Sequence, residues 1–506
     1  MRKPNVIAAA VRTLPALLSL GLGACSLLPH YSAPQPAAAE AGAVYTEGGL
    51  PKQTAASSAS AQDTQQFNVG RDIPAEWWTL FRSEPLGQLV RQAIANNPSL
   101  AAAQATLRES QAAYDSVSGS LDKPAVTGSF SAGRQKLAAL SSGIPGGIEY
   151  NLYNASVNVS YAIDVFGANR STLEGQQAAV DFQRFQVEAA YLTLTSNVVT
   201  SAIHEASLRL QLKATQDLLQ AQINQLEVVQ KQFDAGAVPM ASVLTQRSAV
   251  ASLRATLPAL EKALAQTRHQ LAVLVGQAPG QGALPQFDLD ALQLPLELPV
   301  SLGSDLVRQR PDIRASEALL HQAAAQVGVA TANLYPQFNL TGSISALASD
   351  PSQLFDSAST GWSLLAGLTQ PIFNGGALDA KRRAAEAGYE AAKNQYRSTV
   401  LQAFQNVADS LRALEYDAST LEQQAAAMDV SQQALQLTQD QYRLGAVSYL
   451  SLLDAQRSYQ QSVINWVGAR AARYADTAAL YQALGGGWWN RADQAQTAAS
   501  GTVAEH

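Results

Sequence analysis

The sequence predicts a mainly α-helical chain with a minority of transmembrane β-strands, too few to close a barrel alone. Three observations lead there: a large internal repeat, four segments that alternate apolar and small residues, and two stretches of over sixty residues without a strong helix breaker. Composition frames them. Of 506 residues, 47% are hydrophobic, which suffices for a sizeable core, and length alone would suggest about three domains. A net charge of −6 without a basic cluster leaves no phosphate-binding footprint, so no nucleic-acid partner is expected.

The N-terminus reads as an export signal. Arg2, Lys3 and Arg12 precede the short apolar run "LPALLSLGLGA", which is too short to span a bilayer. Cys25, the single cysteine, follows it, so neither a disulfide nor a thiolate metal cage can form within one chain. Leu22-Gly23-Ala24-Cys25 resembles the bacterial lipobox, which implies cleavage before Cys25 and covalent lipid on its sulfur, enough together to anchor the protein. Ser26 follows, and a non-acidic residue there resembles the outer-membrane sorting address. No other cofactor is expected. Residues 32–66, rich in Ala, Ser, Gln and Gly, read as a flexible tether, and the chain after Asn490 as disordered.

The repeat has a period of roughly 210 residues, far beyond an ordinary solenoid unit. "LVRQAIANNPSLAAAQ" from Leu89 answers to "LVRQRPDIRASEALLH" from Leu306, and "GSFSA" from Gly128 to "GSISA" from Gly342. "DVFG" from Asp164 answers to "PIFN" from Pro371, and "QFDAGAV" from Gln232 to "QYRLGAV" from Gln441. Four matches in one order indicate duplication, with the Pro- and Leu-rich stretch 278–299 as the joint.

Each copy carries two strand-like segments. In "NASVNVSYAI", Ala155, Val157, Val159, Tyr161 and Ile163 share one face, and Asn154, Ser156, Asn158 and Ser160 the other. Phe338, Leu340, Gly342, Ile344 and Ala346 alternate with Asn339, Thr341, Ser343 and Ser345. Trp362, Leu364, Ala366 and Leu368 form the apolar file of a fourth strand, and "AVTGSFSA" from Ala125 is the weakest. Such segments match a barrel with lipid outside and water inside, although a soluble sandwich would alternate too. Four strands leave two open edges, so several chains must share one barrel.

Two long helical segments follow the strand pairs, from about Ser171 to Asp234 and from about Ala377 to Leu444. In the second, Val400, Val407, Leu414, Leu421, Met428, Leu435 and Tyr442 recur every seventh residue, with Phe404, Leu411, Ala418 and Ala425 as companions. That heptad implies left-handed supercoiling. The first keeps it loosely through Leu212, Leu219, Leu226 and Phe233. At ~1.5 Å per residue each would be roughly 100 Å long. The remaining faces are polar, suited to a helical wall with water on both sides; an elongated coiled-coil scaffold would explain these helices but not the strands.

Both segments end in one kind of turn, "FDAGAVPMASVL" at 233–244 and "YRLGAVSYLSLL" at 442–453. Gly236 and Gly445 suit a helix end at positive φ, and Pro239 and Ser448 suit the start of a returning helix. Ala237, Val238, Ala446 and Val447 would form exposed apolar tips, available to a protein partner or packed as simple turns.

The lipobox, "EWWTLF" at 76–81, "LVRQAIANNPSL", the duplicated units, "QPIFNGG" at 370–376 and "YRLGAVSYLSLLDAQRS" at 442–458 together resemble the TolC-like outer-membrane factors, in particular the lipoprotein branch serving tripartite multidrug pumps of the RND type. The resemblance spans residues 20 to about 487. It implies a homotrimer: a twelve-stranded β-barrel in the outer membrane of a Gram-negative bacterium, four strands per chain, above a twelve-helix periplasmic tunnel. The expected division is a signal peptide, 1–24, and a lipidated N-terminus and tether, 25–75. The first repeat, 76–277, has strands near 125–134 and 150–164 and helices near 171–234 and 239–276. An equatorial linker, 278–303, leads to the second repeat, 304–487, with strands near 337–347 and 361–373 and helices near 377–444 and 449–484. A disordered tail, 488–506, follows.

The function this implies is conduction, not catalysis. His30, His204, His269, His321 and His506 are scattered, and no nucleophile–base pair, metal-spaced cluster or phosphate loop is present. By resemblance, a periplasmic adaptor grips the tips, an inner-membrane transporter supplies energy, and an iris opens at the periplasmic end. The family pattern places acidic residues six and nine positions after the second tip glycine and a gate tyrosine three before it. Tyr442 and Asp454 fit, but the sixth position is Ser451, and the first tip has Ser242 and Thr245, so the acidic ring is thinner here. Asp454 also suits a helix start as a plain stabilising carboxylate. Export of drugs or other small toxic compounds is the first expectation; a duct of type I protein secretion and a non-conducting scaffold are the alternatives.

Overall fold

The computed structural model describes residues 45–47, 49, 51–55, 64–281, 284–301 and 303–491. Cys25, the expected signal sequence at 1–24 and residues 492–506 lie outside them. Along the chain run β1 (Gln66–Val69), a 3-10 turn (Trp77–Phe81), α1 (Glu84–Asn96), α2 (Pro98–Leu121), β2 (Ala125–Leu137), β3 (Ile148–Ile163), α3 (Ala168–Asp234) and α4 (Met240–Leu274). Then come β4 (Glu297–Val300), α5 (Gly303–Gln309), α6 (Pro311–Ala332), β5 (Gln337–Ala348), β6 (Thr360–Thr369), α7 (Ala377–Arg443), α8 (Tyr449–Ala483) and a last 3-10 turn, Trp488–Asn490. The order helix, helix, strand, strand, long helix, returning helix thus occurs twice. No helix among the described residues is long and apolar enough to cross a membrane.

The helix pairs α1–α2 and α5–α6 were not separated in the sequence reading. Pro98 and Pro311 divide them: each opens a new helix, where its missing N–H costs nothing. Asn97 caps α2, its Oδ1 accepting from the N–H groups of Ser99 and Leu100 at 2.9 and 3.1 Å, while its Nδ2 donates to the Leu274 carbonyl at 2.9 Å.

The chain forms two compact units. One, residues 107–183 and 316–396, holds a four-stranded antiparallel sheet in the order β2-β3-β5-β6. Its register keeps the two faces apart: Phe130 lies opposite Ala155, Val157 opposite Ile344, and Ile344 opposite Trp362. On the other face the Ser129 and Ser156 hydroxyls meet at 2.7 Å and those of Ser343 and Ser363 at 2.8 Å. Leu365 is an apolar exception on that polar face. Where β3 ends, Asp164 accepts from the Arg170 N–H at 2.8 Å, and Phe166 stacks on Tyr335 at 4.9 Å. β2 runs to Leu137 and β3 begins at Ile148, so both exceed the lengths read from sequence.

The other unit, the described residues within 45–106, 184–315 and 397–491, holds the largest core. Trp77 stacks on Tyr481 at 5.4 Å, and Phe81 on Tyr474 at 6.3 Å. In α7 the buried file is Val400, Ala403, Val407, Leu411, Leu414, Ala418, Leu421 and Ala425, stepping by three and four. Phe404 is half-buried beside Tyr45, so Ala403 replaces it as the companion position. In α3 the seven-residue file is Leu194, Ser201, Leu208, Thr215, Gln222 and Val229; Leu212, Leu219, Leu226 and Phe233 are half-buried.

Both chain ends correct the sequence reading. Thr46, Thr54 and Gln65 are buried, so the described parts of 32–66 are pinned where a flexible tether was expected. Buried Arg473 donates to Thr54 Oγ1 at 3.0 Å and to Gln65 Oε1 at 3.3 Å, and Gln65 donates to the Pro295 carbonyl at 2.8 Å. Residues 66–69 pair in parallel with 297–300. At the other end, residues 488–491 are placed where a disordered tail was expected. Trp488 is buried and donates to the Gln309 carbonyl at 2.6 Å, while Trp489 and Asn490 both donate to the Asp72 carboxylate. The linker is held by Glu205, a fully buried carboxylate that accepts from Arg209 at 2.5 Å, Arg268 at 3.0 Å and the Phe287 N–H at 2.9 Å.

Candidate functional site

Two features bear on function, each within one unit. The first is the sheet. Nothing among the described residues pairs with the outer edges of β2 and β6, and one face exposes Val126, Phe130, Val157, Ile344, Trp362, Leu364 and Leu368. A sheet with open edges and an exposed apolar face has no stable place in water as a single copy. Beyond β6, Ile372 and Phe373 are almost fully exposed as well.

The second is the pair of hairpin tips. Gly236 and Gly445 adopt φ of +74° and +72°. At each, the glycine N–H bonds back three residues and the next N–H five: Ala237 to the Gln232 carbonyl and Ala446 to the Gln441 carbonyl, both at 2.8 Å. This closes the helix ends and turns the chain by one repeated device. Ala237 and Ala446 are exposed, but Val238 and Val447 are half-buried, correcting the fully exposed tip read from sequence. The large exposed apolar residues here are instead Met240, Leu244, Leu444 and Leu450.

Ser448 caps α8, its Oγ accepting from the Ser451 N–H at 3.2 Å, and the two hydroxyls lie 2.9 Å apart. Ser451 therefore serves the cap. Asp454 is the sixth residue of α8, past the first turn where the helix field is strongest; it is exposed and has no partner among the described residues. That position weakens the helix-start role for its carboxylate. The Tyr442 hydroxyl donates to Gln232 Oε1 at 3.4 Å, and its ring lies 5.6 Å from that of Tyr449. Burial pushes both phenols above their ordinary values. Gln232 was missed in the sequence reading; its place at the head of the repeated "QFDAGAV" was the available signal.

A carboxyl pair links the two helices of the second hairpin. Asp476 on α8 is pushed up to about 7, first by burial and then by the hydrogen bond and charge of Asp417 on α7. A raised carboxyl pKa stabilises the fold in acid, and the gain is lost as pH rises from about 4 through about 7. Asp476→Asn should therefore leave stability unchanged near pH 4 and raise it at pH 8, by about 1–2 kcal/mol after solvent screening at this half-buried site. Thermal unfolding of the solubilised protein at the two pH values reads this directly, and an equal effect at both would contradict it.

A model of the family described as "Outer membrane efflux protein" matches residues 89–277 and 302–486. The antibiotic efflux pump outer membrane protein ArpC of Pseudomonas putida is 30% identical over 495 residues, covering 96% of this chain and 98% of that protein. The cation efflux system protein CusC of Escherichia coli K12 is 29% identical over 486 residues, covering 94% and 99%. Among solved structures, the outer-membrane channel OprN superposes with a TM-score of 0.82 at 28% identity, covering 92% of this chain and all of that one.

Proposed function

We propose, from the premise that the chain belongs to the outer membrane efflux protein family, that it is the outer-membrane duct of a tripartite efflux system, passing drugs or other small toxic compounds to the outside without a catalytic step. The carrying observation is the sheet: four strands, one apolar and one small polar face, and two unpaired edges. Edge-to-edge closure of three copies satisfies both edges and gives a twelve-stranded barrel with lipid outside and water within. The same threefold assembly brings six hairpins together as a twelve-helix tunnel. The twofold recurrence of the element order supports duplication of one ancestral unit.

In this assembly the chain is held in the outer membrane by lipid on Cys25 as well as by the barrel. A periplasmic adaptor grips the tips around Gly236, Ala237, Val238, Gly445, Ala446 and Val447, with Leu444 and Leu450 supplying exposed apolar area. An inner-membrane transporter of the RND type drives flux. Three copies of Asp454 converge near the threefold axis and attract cations, and Tyr442 holds the tips closed through Gln232.

One preparation tests the reading. The membrane-extracted protein is weighed intact for loss of residues 1–24 and acylation, sized as a trimer by native mass spectrometry, and reconstituted in planar bilayers. Discrete conductance steps are expected. Asp454→Ala should lower cation-over-anion selectivity and weaken block by multivalent cations, and Tyr442→Phe should raise resting conductance. A folded monomer, or a trimer that gives no steps under any condition, contradicts the duct.

A further inference from the structure

Three glutamines lie where the heptad pattern calls for apolar residues. Gln222 continues the buried α3 file between Thr215 and Val229; Gln246 continues the α4 file of Val243, Val250 and Leu253; Gln456 follows Leu452 and Leu453 on α8. All three are buried, Gln246 completely. Their amides bond in series. Gln246 Nε2 donates to the Gln222 carbonyl at 2.8 Å and to Gln222 Oε1 at 2.7 Å, and Gln222 Nε2 donates to Gln456 Oε1 at 2.7 Å. Gln246 Oε1 is left without a partner.

A polar residue at a core heptad position costs stability and is kept where it selects a partner or a register. Here the first two bonds stay inside one hairpin, α3 with α4. The third reaches α8 in the other hairpin, and at 2.7 Å between buried side chains it is a shorter and stronger bond than the 3.4 Å Tyr442–Gln232 contact at the half-buried tip. Leucines in these places would grip through area alone and lose that contact outright on separation. Amides behave differently, because each can pass its hydrogen bond to water when the helices part and recover it when they return. A cavity of about 140 Å³ lined by Gln222, Leu453 and Arg457 borders the network, giving water a place from which to take over these bonds.

We propose that Gln222, Gln246 and Gln456 form a water-exchangeable latch between the two hairpins, acting as positioning residues that set the resting open fraction of the duct. The proposal rests on the duct reading above. It assigns the control of opening to a buried layer behind the tips, in addition to the tip contacts themselves.

The test is a double-mutant cycle read by single-channel recording, with thermal stability of each trimer measured alongside. Gln456→Leu leaves the Gln222 amide buried without its acceptor, so the resting open fraction should rise roughly tenfold or more. Gln222→Leu should act likewise, since Gln246 retains the backbone carbonyl of residue 222. The double variant replaces the bond with an apolar contact and should return to within about twofold of wild type. Single variants that open as rarely as wild type overturn the latch. So does a double variant that opens as often as the two singles combined predict, or a loss of thermal stability with an unchanged open fraction. A wild-type trimer without steps fails differently: it removes the duct reading, and the latch with it.

Discussion

Gly487→Ala is expected to lower stability by about 3 kcal/mol or more, although the residue belongs to no helix or strand. Gly487 sits at φ +72°, and a β-carbon there would lie 2.5 Å from the Pro74 carbonyl oxygen and 2.6 Å from that of Ile73. Backbone atoms cannot swing aside as a flexible side chain does, so Trp488 would be lifted out of its buried seat and its bond to the Gln309 carbonyl lost. Gly236→Ala is the control. It has a similar φ but open space around the added carbon, so only the conformational cost of about 1 kcal/mol is expected. Melting of the solubilised protein should separate the two variants clearly, and equal melting temperatures would show that the last turn is not seated on Ile73 and Pro74.

Leu364→Arg should largely abolish membrane assembly, whereas Ser363→Arg, one residue away, should be tolerated. Leu364 lies near the middle of β6 on the apolar face of the sheet, opposite Gly342; Ser363 lies on the polar face, bonded to Ser343. In the proposed barrel this face meets lipid, where a cationic side chain costs about 2–4 kcal/mol at the bilayer midplane, and three copies would multiply the penalty. On the polar face, the lumen side of the proposed barrel, the same charge would meet water and alter selectivity alone. Fractionation of expressed protein into membrane and aggregate reads both variants. Equal insertion would mean that the apolar face does not meet lipid.

The sheet was legible because period two needs only the strand's own residues: the faces named for β3, β5 and β6 are those the register keeps apart. The α7 stripe was legible for a similar reason, since large apolar residues recur along it without interruption. Phe404 was read for buried Ala403 because alanine fills a buried position without announcing it, and Met428 and Tyr442, read into the heptad file, are only half-buried. The α3 file escaped notice because Ser201, Thr215 and Gln222 occupy it, and a hydrophobic pattern passes over polar cores held by hydrogen bonds. The chain ends escaped for the same cause: Thr54 and Gln65 are fixed by Arg473, which lies more than 400 residues away in sequence. At the tips the glycines were readable as turns, but the half-burial of Val238 and Val447 depends on how the hairpins fold back, which local sequence does not encode.

The bonds that fix the two chain ends also bear on the order of folding. Gln65 reaches Thr477 across 412 residues, and Trp489 reaches Asp72 across 417. Contacts of such separation carry the heaviest loop-closure cost and form after local helices and hairpins have made most of their own structure. None of them can form until nearly the whole chain has emerged. A nascent chain can therefore complete α1 to α4 early, while the segment around Gln65 and Asp72 stays untied until α8 and the Trp488–Asn490 turn have been made, so the fold's earliest residues are the last to be locked.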